Sequence, residues 1–208
     1  MKKMHLVSVL ALLSIASVPI SAASSSFEAK AGIGSVKSAD SKTGFDAGVG
    51  YAIRLEKYFA IVPELNFSWV NFSSALGSGS AGAAGVASGT TISSNYYTLP
   101  LMVNGRFYIP MGSDDVPVFQ PIISVGAGYG WSSYSSTINS VSSQYWLSGF
   151  MYQATVGGLL NLGMIGEGSA SSTSIMLEVG YRGGSLSYAG TNYDWGGYVV
   201  RAGVSLSM

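Results

Sequence analysis

The stretch GFDAGVGYAIRLE, residues 44–56, decides how this chain is to be read. Phe45, Ala47, Val49, Tyr51, Ile53 and Leu55 are apolar, while Asp46, Gly48, Gly50, Ala52, Arg54 and Glu56 between them are charged, polar or very small. Strict alternation with period two marks a β-strand with two unlike faces. In a water-soluble protein the apolar face would be the core. In a barrel that spans a membrane it would be the outside.

Composition separates the two. Among 208 residues only 10% are charged and 48% are apolar, with 28 glycines and 12% aromatic residues. Soluble domains carry about 25% charge, and an outer coat of Gly and Ser with few charges solubilises poorly. Helical membrane spans need about 20 continuous apolar residues, and nothing beyond the N-terminus approaches that. Short alternating segments rich in Gly, Ser and aromatics are the composition of a transmembrane β-barrel.

The N-terminus agrees with export. Lys2 and Lys3 precede the apolar run LVSVLALLSIASV (residues 6–18), and ISAAS then offers cleavage after Ala22 or Ala23. Residues 1–23 therefore read as a cleaved signal peptide and 24–208 as one outer-membrane barrel domain. Losing Lys2 and Lys3 leaves eight basic and ten acidic residues, with none of the clustered basic charge that nucleic-acid binding requires. There is no cysteine, hence no disulfide and no lipid-modified N-terminal Cys.

Eight alternating segments follow the signal: residues 26–36, 44–56, 58–72, 96–109, 118–131, 145–162, 173–182 and 195–208. An even number of hairpin-linked strands suits a closed antiparallel up-and-down barrel, which leaves no open edge. Between the strands, 37–42, 73–95, 132–144 and 183–194 read as loops, and PMGSDDV (110–116) and Gly166-Glu167-Gly168 as turns. Pro63, Pro100 and Pro121 cannot donate to a ladder, so they should sit at bulges or strand ends.

Charge distribution orients the faces. Glu28, Lys30, Asp46, Arg54, Glu64, Arg106, Glu178, Arg182 and Arg201 all fall on the non-apolar face. A charge turned to lipid at the bilayer midplane costs about 2–4 kcal/mol, whereas water would exert no such pressure. These nine are expected to form a charge network inside the lumen, because buried charges must be paired and hydrogen-bonded. Gly32, Gly48, Gly126, Gly128 and Gly203 share that face, as an eight-stranded barrel with little interior room requires. Aromatics near segment ends (Tyr58-Phe59, Trp69, Tyr96-Tyr97, Phe107-Tyr108, Trp131, Tyr145-Trp146, Tyr193 and Trp195) read as girdles at the two membrane interfaces.

The phrases YYTLPLMVNGRFYIP, FQPIISVGAGYGW and SIMLEVGYR, with the closing strand YVVRAGVSLSM, resemble the small eight-stranded bacterial outer-membrane barrels of the OmpX-, OmpW- and opacity-like group. The resemblance implies a bacterial outer membrane, export through the periplasm, both chain ends in the periplasm, and the four longer loops outside. It also implies biogenesis through periplasmic chaperones and the barrel-assembly machinery, to which the closing strand is presented, and a monomer in the bilayer. The chain departs from many relatives by ending in Met208 where they end in Phe or Trp.

Enzymatic chemistry has little to work with. His5 is the single histidine and lies in the signal segment, so the mature chain has neither Ser–His nor Cys–His catalysis, nor His/Cys zinc sites. Asp46 and Glu64 read as ion-pair partners of interior bases, Asp114-Asp115 as a solvated turn, and the glycine-rich stretches open no helix. The expectation is a barrel without catalytic, metal or cofactor site and with a largely filled lumen, serving envelope integrity and presenting surface loops to host molecules for adhesion. The alternative is a narrow channel for small or hydrophobic solutes.

Overall fold

The computed structural model describes residues 24–37, 42–75, 91–111, 117–138, 141–162 and 173–208. The expected signal segment at 1–23, the centre of the expected loop at 73–95, and the expected turns at 112–116 and 166–168 lie outside the described residues. Eight strands form: β1 (Ser24–Val36), β2 (Lys42–Glu56), β3 (Phe59–Ala75), β4 (Thr91–Tyr108), β5 (Phe119–Ile138), β6 (Val141–Asn161), β7 (Thr173–Tyr188) and β8 (Thr191–Ser207). Each pairs antiparallel with its sequence neighbours, and β1 pairs with β8 (Phe27 opposite Leu206, Ile33 opposite Val200), closing the ring.

The opening stretch alternates as its sequence demands. Phe45, Val49, Tyr51 and Leu55 are exposed, whereas Asp46, Gly48, Gly50 and Ala52 are buried. The same parity holds round the ring, so the apolar face is the outer surface. Trp69 stacks on Tyr97 at 6.3 Å on one side of this band, and Phe59 packs on Phe107 at 5.0 Å on the other. From Phe59 to Trp69 is ten residues of β3. At about 3.3 Å per residue and about 40° of tilt they cover about 25 Å of height, the height of an apolar band in outer-membrane barrels.

The strands overrun that band at the end bearing the β1–β2, β3–β4, β5–β6 and β7–β8 connections (the loop end, opposite the terminal end). Two of the expected loops are strand instead. Residues 132–138 pair with 141–147 (Tyr134 opposite Tyr145), and 183–188 pair with 191–196 (Leu186 opposite Tyr193). The expected loop at 73–95 is strand at its flanks, with Ser73 opposite Ser93. Ser and Thr suggest loop by composition, yet they serve equally as ladder residues once a hairpin has fixed the register. The β7–β8 hairpin turns on Ala189 (φ 49°) and Gly190 (φ 84°), the two positive φ values of a type I′ turn.

The prolines are accommodated without bulges at Pro63 and Pro100. The β2–β3 pairing is interrupted between Gly50–Glu64 and Ile53–Ile61, and the β3–β4 pairing between Leu65–Leu101 and Ser68–Thr98, with register unchanged across each gap. Each proline sits where a ladder bond is missing anyway. Pro121 lies near the start of β5. The one register shift in these ladders is at Arg54/Glu56.

Candidate functional site: a matched charge layer inside the barrel

Each interior charge is placed by strand parity, and the ring then brings distant strands face to face. Glu28, Lys30, Asp46, Glu64, Arg106, Glu178, Arg182 and Arg201 are all buried in the interior. Four are acids and four are bases. Arg106 on β4 grips both carboxylate oxygens of Glu28 on β1, one at 2.9 Å, while its Nε donates to Ser124 at 3.2 Å. Such a fork-on-carboxylate pair is the strong form of charged hydrogen bond.

Lys30 donates to Glu64 at 2.6 Å and to Glu178 at 3.5 Å, and lies 3.7 Å from Glu28. Arg182 reaches across from β7 to Asp46 on β2 at 2.9 Å, and to Ser68 at 3.2 Å. Arg201 on β8 joins Glu64 at 2.9 Å and Asp46 at 3.5 Å, and also contacts Glu178 and Asn66. No acid of the layer lacks a base.

Neutral groups complete the layer, and reading the sequence for charge alone overlooked them. Gln153 accepts from Arg182 at 3.2 Å and donates to Asn104 at 2.7 Å, and Asn104 in turn donates to the Val62 carbonyl. Parity was the available signal, since both lie on the inward face of β6 and β4. Gly48 leaves the necessary room, because a Cβ there would stand 2.5 Å from the Asn66 side-chain oxygen and 3.2 Å from Arg201 Nη1.

Arg54, the ninth expected member, stands apart. It is half-buried at the terminal end and lies 4.2 Å over the ring of Tyr108.

Two apolar layers bracket the charges. Toward the loop end Val36, Val70, Tyr96, Leu147, Leu186 and Trp195 pack together, with Met102 and Met151 beneath them. Toward the terminal end Ala52, Ala60, Val62, Tyr108, Ile122, Leu159 and Met176 form a second cluster. Tyr96, Tyr108 and Trp195, expected in the interface girdles, are thus interior groups, with Trp195 only 2% exposed. Their sequence neighbours Tyr97 and Phe107 do face outward. A Cβ on Gly128 would collide with the Leu101 carbonyl.

At the loop end, outside the apolar band, Lys37 donates to Asp194 at 2.9 Å, and that carboxylate holds the ammonium pKa above the usual lysine value. Tyr96, Tyr134, Tyr145 and Tyr188 form a row of rings across β4 to β7, with successive centroids 6.0, 6.5 and 5.2 Å apart.

A closed ring of eight strands with an apolar exterior, aromatic girdles and a charge-matched interior defines a transmembrane β-barrel. The chain belongs to the outer membrane protein beta-barrel domain family, whose model matches residues 8–207, and so to the bacterial outer membrane. Among solved structures it is similar to Neisserial surface protein A, at 13% identity and TM-score 0.51, covering 88% of this chain and 96% of that one. It is likewise similar to Ail, the attachment invasion locus protein of Yersinia pestis, crystallised with the heparin analogue sucrose octasulfate. That match has 13% identity and TM-score 0.51, covering 89% of this chain and 98% of that one. At such identity the likeness is one of fold. Comparison with curated protein sequences gives no match.

Proposed function

We propose that this protein is a non-enzymatic, monomeric outer-membrane barrel with a closed lumen, which reinforces the envelope and presents its loop end to the exterior for adhesion. Export is by the signal peptide at residues 1–23, and both chain ends face the periplasm. The observation that carries the closed lumen is the layering of the interior. An apolar cluster, a charge layer with matched signs and a second apolar cluster succeed one another along the axis. A solute or ion would have to break paired charges and displace both packed layers, and the desolvation cost opposes it.

The outward contact function is supported by the hairpins that overrun the membrane band. Their tyrosine row ends in the exposed rings of Tyr145 and Tyr188, amphipathic groups that recur in recognition surfaces. Planar-bilayer recording tests the closed lumen. The protein reconstituted without its signal peptide should show no steady conductance, and reproducible open steps would favour the channel reading instead. Deleting residues 78–89 should leave a folded barrel and abolish cell adhesion, and retained adhesion removes that segment from the account.

A further inference from the structure

The matched interior leaves one base over, and that base borders a cavity at the terminal mouth. Arg54 has no carboxylate within ion-pair distance among the described residues, and its close partner is the face of Tyr108. It lines a cavity of about 220 Å³, and a second of about 60 Å³ shares Arg54 and Tyr108 in its wall.

None of the described residues lining either cavity is acidic. Ser26, Gln120, Ser205 and Ser207 supply hydroxyl and amide groups, and Lys57 adds a second cation at the wall. The floor is closed by the apolar layer through Tyr108 and Leu159. A guanidinium stacked on an aromatic ring is held in place before any ligand arrives, which lowers the ordering cost of binding. Its planar fork, with neutral donors around it, suits an oxyanion.

Volume limits the ligand further. Pockets for drug-sized molecules run from about 300 Å³ upward, so this one takes a single oxyanion group on a short hydroxylated stem. We propose that Arg54 and the polar lining of the terminal mouth form a binding site for a small phosphate ester of the glycerol phosphate type. The ester arrives as a free solute or as the headgroup of a membrane phospholipid. The site lies outside the charge layer and is independent of whether the lumen conducts.

Calorimetric titration of the signal-free chain in maltoside micelles with sn-glycerol 3-phosphate tests this. Saturable binding is expected at about millimolar Kd, with no response to glycerol alone. Arg54→Gln should weaken it at least about tenfold, and Arg54→Lys less, since charge survives and the fork does not. Equal binding by wild type and Arg54→Gln, or no saturation by about 20 mM, overturns the proposal. Should Arg54→Gln fail to fold, Gln120→Met and Ser205→Ala must weaken binding, and unchanged affinity in both overturns it equally. Repeating the titration in phosphatidylglycerol and in phosphatidylcholine vesicles separates the sources. Competition by phosphatidylglycerol assigns the site to a headgroup, and undiminished binding assigns it to the free ester.

Discussion

The pair formed by Glu28 and Arg106 offers the sharpest test of the interior, because both side chains are buried and they meet across the lumen from β1 and β4. Arg106→Met leaves Glu28 with only Lys30, 3.7 Å away and already committed to Glu64 at 2.6 Å. Glu28→Met leaves a buried guanidinium whose remaining donor contact is Ser124. Removing one partner of a buried pair costs about 3–5 kcal/mol, whereas replacing both by apolar groups of similar size is near neutral. Each single variant should therefore lose about 3–5 kcal/mol, and Glu28→Met/Arg106→Met should return to within about 2 kcal/mol of wild type. Urea unfolding in phosphocholine vesicles, followed by tryptophan fluorescence, measures all four. The coupling energy should reach about 4 kcal/mol. Additive losses, with coupling under about 0.5 kcal/mol, would show that the two charges are separately solvated and that the interior is not closed.

Four further outcomes follow from the same geometry. Val125→Lys, on the exposed face of β5, should cost about 2–4 kcal/mol in the same unfolding assay; Val141→Lys, at the loop end, should cost about 0–1 kcal/mol. Ala189→Asn should raise stability by a few tenths to about 1 kcal/mol, because Asn tolerates the left-handed turn position better than Ala. Gly128→Leu should prevent the heat-modifiable gel shift of a folded barrel rather than alter conductance, since its Cβ meets backbone at Leu101 and Met102. The exposed Lys37–Asp194 pair has a lysine pKa raised above 10.5. What it contributes is complete below that value and fades as pH rises through the folded pKa, so any difference between wild type and Lys37→Ala should vanish in strongly alkaline buffer.

Parity carried most of what was legible in the sequence. One alternating stretch implied two faces, and the charges on one of them implied which way the faces point, because lipid tolerates no unpaired charge while a small lumen tolerates paired ones. Ring closure then decided the partners, which no local pattern contains: Asp46 and Glu64 read as ion-pair partners of interior bases, and the ring makes them share Arg201 of β8. Trp195 was misplaced in a girdle because aromatic residues near strand ends were grouped by position. Its odd number on β8 matches that of the buried Val199 and Arg201 and puts it indoors. The hairpin extensions at 132–144 and 183–194 were unreadable for a different reason. Gly is depleted in strands and Ser carries no apolar alternation, so their register is imposed by strands that start inside the membrane. Arg54 looked like any other charge on the polar face, and only its height in the barrel separates it from the layer.

The central claim is that Phe45, Ala47, Val49, Tyr51 and Ile53 face lipid. The natural chain has no cysteine, so a single cysteine at each position can carry a nitroxide whose collisions with oxygen and with a polar nickel chelate are read by spin resonance in reconstituted bilayers. The account predicts strong oxygen collisions and weak nickel collisions along the series, with the largest contrast near the middle. Frequent nickel collisions at Val49 and Tyr51, or shielding from both reagents, would contradict it.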